Sequence, residues 1–121
     1  VISSEATKRL PMWVVPHRAK VVEVFLINST AVTGADTNTV HLNLINGGLE
    51  GAGTTELAAR DLVMGTDLDV GKTSLYAPAS ALFTAAGTML ELESEEIGTG
   101  LGSDINALLI WIVYRASDTS S

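Results

Sequence analysis

From residue 107 to residue 115 the chain reads Ala-Leu-Leu-Ile-Trp-Ile-Val-Tyr-Arg, eight apolar or aromatic residues closed by one charge. As a strand, nine residues span about 30 Å; as a helix they span only about 14 Å. Ile110, Ile112 and Val113 are β-branched and would lose χ1 freedom against a helical turn, so the segment is expected to be a strand. Alternation then puts Leu108, Ile110, Ile112 and Tyr114 on one face and Leu109, Trp111 and Val113 on the other. Neither face is polar, whereas an ordinary antiparallel sheet turns one side to water. Such a strand belongs either at the centre of a sandwich with its outer face covered, or with that face against another subunit. Its seven large side chains are worth about 1.5–3 kcal/mol each when buried, before chain entropy is counted. The rest of the chain must be organised around it.

The 121 residues fit one domain, long enough to bury a core without covalent staples. There is no cysteine, which excludes disulfides, thiolate metal sites and cysteine nucleophiles. Charged residues make up 17%, below the roughly 25% of typical soluble domains. The apolar excess has two outlets, a densely filled core or a buried contact between copies. A net charge of −7, with only seven scattered basic residues, argues against binding nucleic acid. No run approaches the roughly 20 apolar residues of a membrane helix, and no charged-then-apolar leader pattern opens the chain. The expectation is a soluble protein made in a cytoplasm.

Residues 1–10 are polar and unpatterned and read as an extended N-terminal arm. Pro11 and Pro16 bracket Met12-Trp13-Val14-Val15, an edge strand or a segment lying across something else, because proline cannot donate to a ladder. Trp13 is then either a local core anchor or a contact residue for a partner. Residues 20–28, Lys-Val-Val-Glu-Val-Phe-Leu-Ile-Asn, form a second strand apolar on both faces apart from Glu23. In residues 39–45, Val40, Leu42 and Leu44 alternate inward with His41 and Asn43 outward, and Asn46-Gly47-Gly48 turns. Residues 54–64 are ambiguous and favour extended structure, and residues 72–76 make a short strand. Leu90 and Leu92 point in and Glu91 and Glu93 out in residues 88–94. Short strands with turns every 8–15 residues predict an all-β, single-domain, jelly-roll-like β-sandwich of about eight antiparallel strands over residues 11–116, with a polar tail at 117–121. Its core is expected to hold Val22, Val24, Leu42, Leu44, Leu90, Leu92, Ile110 and Ile112.

Candidate motifs fail on spacing. Gly65 to Thr73 imitates a phosphate-cradling loop, but five residues separate its glycines where four are needed. It reads as a hairpin loop. Asp67-x-Asp69 opens like a calcium loop, but Lys72 stands where glycine is required. Glu91, Glu93, Glu95 and Glu96 form the one acidic cluster and read as a solvated face, with a weak cation site left open. His17 and His41 are too few for a three-histidine metal site. Asn28-Ser29-Thr30 fits a glycosylation sequon. No catalytic residue, cofactor or metal is expected.

The order of features nevertheless resembles that of small tailed-phage virion proteins. The resemblance lies in Pro11-Met12-Trp13-Val14-Val15-Pro16, residues 20–24, and Thr33-Gly34-Ala35-Asp36-Thr37-Asn38-Thr39. It continues through Ile45-Asn46-Gly47-Gly48, Gly51-Ala52-Gly53-Thr54-Thr55, residues 86–92, and Gly98-Thr99-Gly100-Leu101 before the last strand. These motifs are turn-and-strand grammar and carry no chemistry. In character the chain is most similar to head decoration, or cement, proteins. That resemblance implies a β-rich homotrimer on the outer surface of the capsid, made in the host cytoplasm, with the major capsid protein as partner and no role for nucleic acid or membrane. Met12, Trp13, Leu109, Trp111 and Val113 are the expected contact residues toward another subunit or the shell. The competing reading is a carbohydrate- or receptor-binding β-sandwich of a phage tail or fibre, which would want an exposed aromatic platform; Trp13, Tyr76 and Phe83 are the aromatics left for it.

Overall fold

A computed structural model describes residues 7–76, 82–83, 86–102, 105 and 107–116. The described chain is all β, with seven strands of six to ten residues: β1 (Lys8–Val14), β2 (Ala19–Asn28), β3 (Thr39–Gly48), β4 (Thr55–Asp61), β5 (Gly71–Tyr76), β7 (Met89–Ile97) and β8 (Ala107–Ala116). A two-residue pairing, β6 (Leu82–Phe83), is the eighth element. The expected count of about eight strands is thus reached only by including β6. Of the expected arm, residues 8–10 lie in β1, while residues 1–6 and the 117–121 tail lie outside the described residues.

All pairings are antiparallel and fall into two sheets. One sheet has the order β1-β7-β3-β4; in the other, β2 is central, with β8 along one edge and β5 and β6 along the opposite edge. A single buried cluster takes side chains from both sheets: Val21, Val24, Leu26 and Leu75 from one, Val40, Leu42, Leu44, Leu90 and Leu92 from the other. The alternation read in β3 and β7 therefore places its leucines between the layers. Ile110 and Ile112 of β8 are half-buried and pack against this cluster.

Two expectations change. Val22 is not in the core but 39% exposed, and Val21 is fully buried instead. The ladder to β8 passes from Val21↔Tyr114 to Glu23↔Val113, so Val22 is an inserted residue, and the bulge reverses the in–out phase. The 107–115 segment is a strand, and of its two expected placements the central one is not found: β8 pairs with β2 alone among the described residues.

The β2–β3 and β4–β5 connections brace each other at one end of the sandwich. Val32 and Leu68 exchange backbone hydrogen bonds of 2.8 and 2.9 Å, and the Gly34 amide donates to Asp67 Oδ1 at 2.8 Å. The Thr39 hydroxyl and the Ala35 amide both donate to the Leu62 carbonyl. A Cβ at Gly34 would stand 2.0 Å from the Val63 carbonyl oxygen, so this crossing admits only glycine.

Denaturant unfolding should separate the two faces of β2. Leu26→Ala is expected to cost about 2–5 kcal/mol through cavity formation, and Val22→Thr to stay within about 0.5 kcal/mol. Equal losses at both sites would refute the bulged register. Gly34→Ala should cost more than about 3 kcal/mol, beyond ordinary overpacking, since the obstacle is backbone and cannot rotate away.

Candidate interaction surfaces

The two outer faces of the sandwich differ in chemistry. On the β1-β7-β3-β4 sheet a polar band crosses all four strands. His41 Nδ1 lies 3.3 Å from Asp61 Oδ1 and 3.6 Å from Glu95 Oε1. Next to it the Asn43 side-chain amide donates to Glu93 at 2.9 Å and to Glu95 at 3.3 Å. Arg9 closes the band from β1, with Nη1 3.1 Å from Glu91 Oε2 and Nε 3.8 Å from Glu93 Oε2.

Glu91 does not point freely into water as its alternation implied; its side chain is only 4% exposed. The β3–β4 turn folds over it. A Cβ at Gly47 would come within 2.8 Å of Glu91 Oε1, and one at Gly51 within 3.1 Å, so glycines make room for the carboxylate. Arg9 also holds the turn by donating to the carbonyls of Gly51 (3.3 Å) and Gly53 (2.5 Å). One guanidinium thus neutralises a buried charge and satisfies two loop carbonyls, which fixes β1 and the turn to β7 together. The acidic cluster is partly consumed by this packing, and no group of three or more metal-ligating side chains occurs among the described residues.

The outer face of the β8-β2-β5 sheet carries an apolar strip among polar side chains. Val22 is exposed, and Phe25, Ile27 and Val113 are half-buried. Lys72 of β5 lies over the Phe25 ring, its Nζ 4.2 Å from the centroid, and the Ser74 hydroxyl donates to Glu23 at 3.2 Å. Of the expected contact residues, Val113 stands on this face opposite Glu23. The backbones of Leu109 and Trp111 pair with Ile27 and Phe25, and their side chains lie outside the described part. Met12 and Trp13 are half-buried against the chain's own core. Trp13 meets Tyr114 with ring centroids 4.7 Å apart, a bridge from β1 in one sheet to β8 in the other. Sequence reasoning had left Trp13 between core anchor and contact residue, and its ring is engaged at the open side of the sandwich.

The other motifs have structural fates. Gly65 to Thr73 is no hairpin: it carries the chain from one sheet to the other, with Asp67 committed to the Gly34 amide and Thr73 Oγ1 accepting from the Asp69 amide at 3.3 Å. Asn28 of the sequon is 2% exposed and turned into the interior, where no glycan can reach it in the folded chain. Arg9 and the glycines over Glu91 are the residues sequence reasoning missed; a basic residue on an edge strand across from an acidic strand was the available signal.

No family model matches this chain, and neither does any curated protein or solved structure.

Arg9→Met is expected to destabilise by about 2–4 kcal/mol, toward the lower part of the range for stranding a buried charge, because the arginine still reaches solvent. Adding Glu91→Gln should recover part of that loss. A double-mutant cycle by denaturant unfolding measures the coupling, and purely additive losses would show that the pair contributes nothing.

Proposed function

We propose that this chain is a structural virion protein, a decoration or cement protein that binds the outer surface of a phage head and stabilises the shell. The finer reading of its scaffold is a jelly-roll-like sandwich. One observation carries the proposal: the sandwich has two unlike outer faces, one with an apolar strip of Val22, Phe25, Ile27 and Val113 along β2 and β8, the other a braced acidic band along β3 and β7. An apolar strip on a sheet face suits contact with protein, and an acidic band suits exposure to solvent on the side of a shell away from packaged nucleic acid. The resemblance of its turn and strand motifs to those of small phage virion proteins, read from the sequence, supports the same reading. The apolar excess of the sequence supports association of copies with one another; composition favours that association without setting the number of copies.

Of the three aromatics left for the sugar-binding alternative, Trp13 is packed against Tyr114 and offers no free platform; the side chains of Tyr76 and Phe83 lie outside the described residues.

Purified virions provide the test. The chain should be found in full heads by mass spectrometry and be accessible there to protease or antibody. Heads lacking it should release their genome at lower temperature or after milder loss of divalent cations. Absence of the chain from virions would end this reading.

A further inference from the structure

Each strand at a sheet edge offers unpaired backbone donors and acceptors to any extended segment that meets it, and folded proteins block such edges with charges, prolines, bulges or short length. The edges of this molecule can be compared one by one. β1 carries Lys8, Arg9 and Pro11 and is broken by a register shift between Pro11 and Trp13. β4 carries Glu56, Arg60 and Asp61, and its ladder skips Leu57. β5 has six residues, includes Lys72, and its ladder skips Leu75. β6 has two residues. β8 differs from all of them. Its one irregularity, at Leu108, lies near its start, and residues 109–114, Leu-Ile-Trp-Ile-Val-Tyr, then run without charge, proline, glycine or bulge of their own. Among the described residues the second edge of β8 has no pairing strand, and six uncharged residues of high β-propensity on such an edge form the pattern that pairs with itself.

We propose that β8 pairs edge to edge and antiparallel with β8 of a second copy of this chain, making one sheet continuous across two subunits. Three features select this occupant. Every other described edge of the chain is blocked, so only β8 offers β8 a matching edge. An antiparallel pair about a twofold axis is self-complementary and closes, leaving no edge for further copies. The single charge of the strand, Arg115, stands near one end; antiparallel pairing sends the two arginines to opposite ends, where parallel pairing would set them side by side. The apolar strip of Val22, Phe25, Ile27 and Val113 then runs on into the partner's strip. This inference rests on the self-association in the proposed function, not on attachment to a capsid, and it makes the basic unit a pair where the sequence expectation was a ring of three.

Native mass spectrometry of the intact chain at micromolar concentration, together with amide hydrogen exchange, tests it. A lone edge strand leaves about every second amide without a partner, whereas the pair protects amides 109–114 alike. Val113→Lys places a lysine opposite Glu23, a cross-strand combination the single subunit accepts, on the edge where natural proteins use lysine to prevent pairing. The unmodified chain is expected to be a dimer with continuous protection. Val113→Lys should raise the dimer Kd at least about tenfold, the equivalent of roughly 1.4 kcal/mol, and expose alternate amides, with an unchanged far-UV spectrum. Dilution of the unmodified chain gives the same test without substitution, since alternate protection must fall together with dimer mass. A monomer, a trimer, or a dimer whose β8 protection survives both treatments would overturn the proposal. If the dimer holds but virions lack the chain, only the capsid reading falls.

Discussion

The contact between the two sheets is the interaction on which everything else in this molecule depends. Among strands adjacent in sequence, only β3 and β4 pair with each other; the remaining ladders join strands far apart along the chain, β1 with β7, β3 with β7, and β2 with β5 and β8. A two-stranded hairpin is marginal in water even when it forms locally, and here almost none forms locally. The ladders are therefore held in place by the burial of Val24 and Leu26 against the layer containing Leu42, Leu44, Leu90 and Leu92. Non-local pairing has a kinetic consequence: loop-closure entropy must be spent before most contacts form, so folding is expected in the slower range for small domains. During that interval β8 is the segment most exposed to wrong partners.

What could be read from the sequence followed from what periodicity encodes. Period-two alternation identifies the face a residue occupies, and in β3 and β7 that identification held because no residue is inserted between Val40 and Leu44 or between Leu90 and Leu92. It failed at Val21 and Val22 because two adjacent valines fit either phase, and the bulge that decides between them depends on the partner strand. Apolarity on both sides of residues 107–115 correctly indicated a strand, but it measures burial of side chains and says nothing of whether both backbone edges are paired. Of the two placements left open, central in the sandwich or with its outer face against another subunit, the central one is not found among the described residues, where β8 pairs with β2 alone. Glu91 shows a different limit. Its face was read correctly as the outer one, yet cover is a property of the turn above it, and that cover depends on Gly47, Gly51 and the reach of Arg9 from another strand.

The Arg9 cluster and the Gly34 crossing stabilise opposite ends of the sandwich by different physics. At one end a guanidinium replaces water for a carboxylate and for two carbonyls. At the other, a glycine lets the β2–β3 connection approach the backbone of the β4–β5 loop so closely that no side chain fits. Both devices fasten long connections that would otherwise carry unsatisfied backbone groups. They tie the loop ends to the sheets through side-chain and backbone contacts.

Surfaces of unlike chemistry restrict how copies can meet. With a net charge of −7, contact between two acidic bands would set Glu93, Glu95 and Asp61 against their counterparts, and like charges brought together disfavour that arrangement strongly at low salt. The blocked edges of β1, β4 and β5 remove further arrangements. Specificity in such a molecule comes as much from these exclusions as from any attraction. The one described edge without a block is then informative in itself: a strand unpaired on one side among the described residues, where the other described edges are protected, is suited to protection by assembly. The same residues that make β8 hazardous alone, apolar and free of charge over six positions, are what make it a well-defined joint when a matching edge closes it.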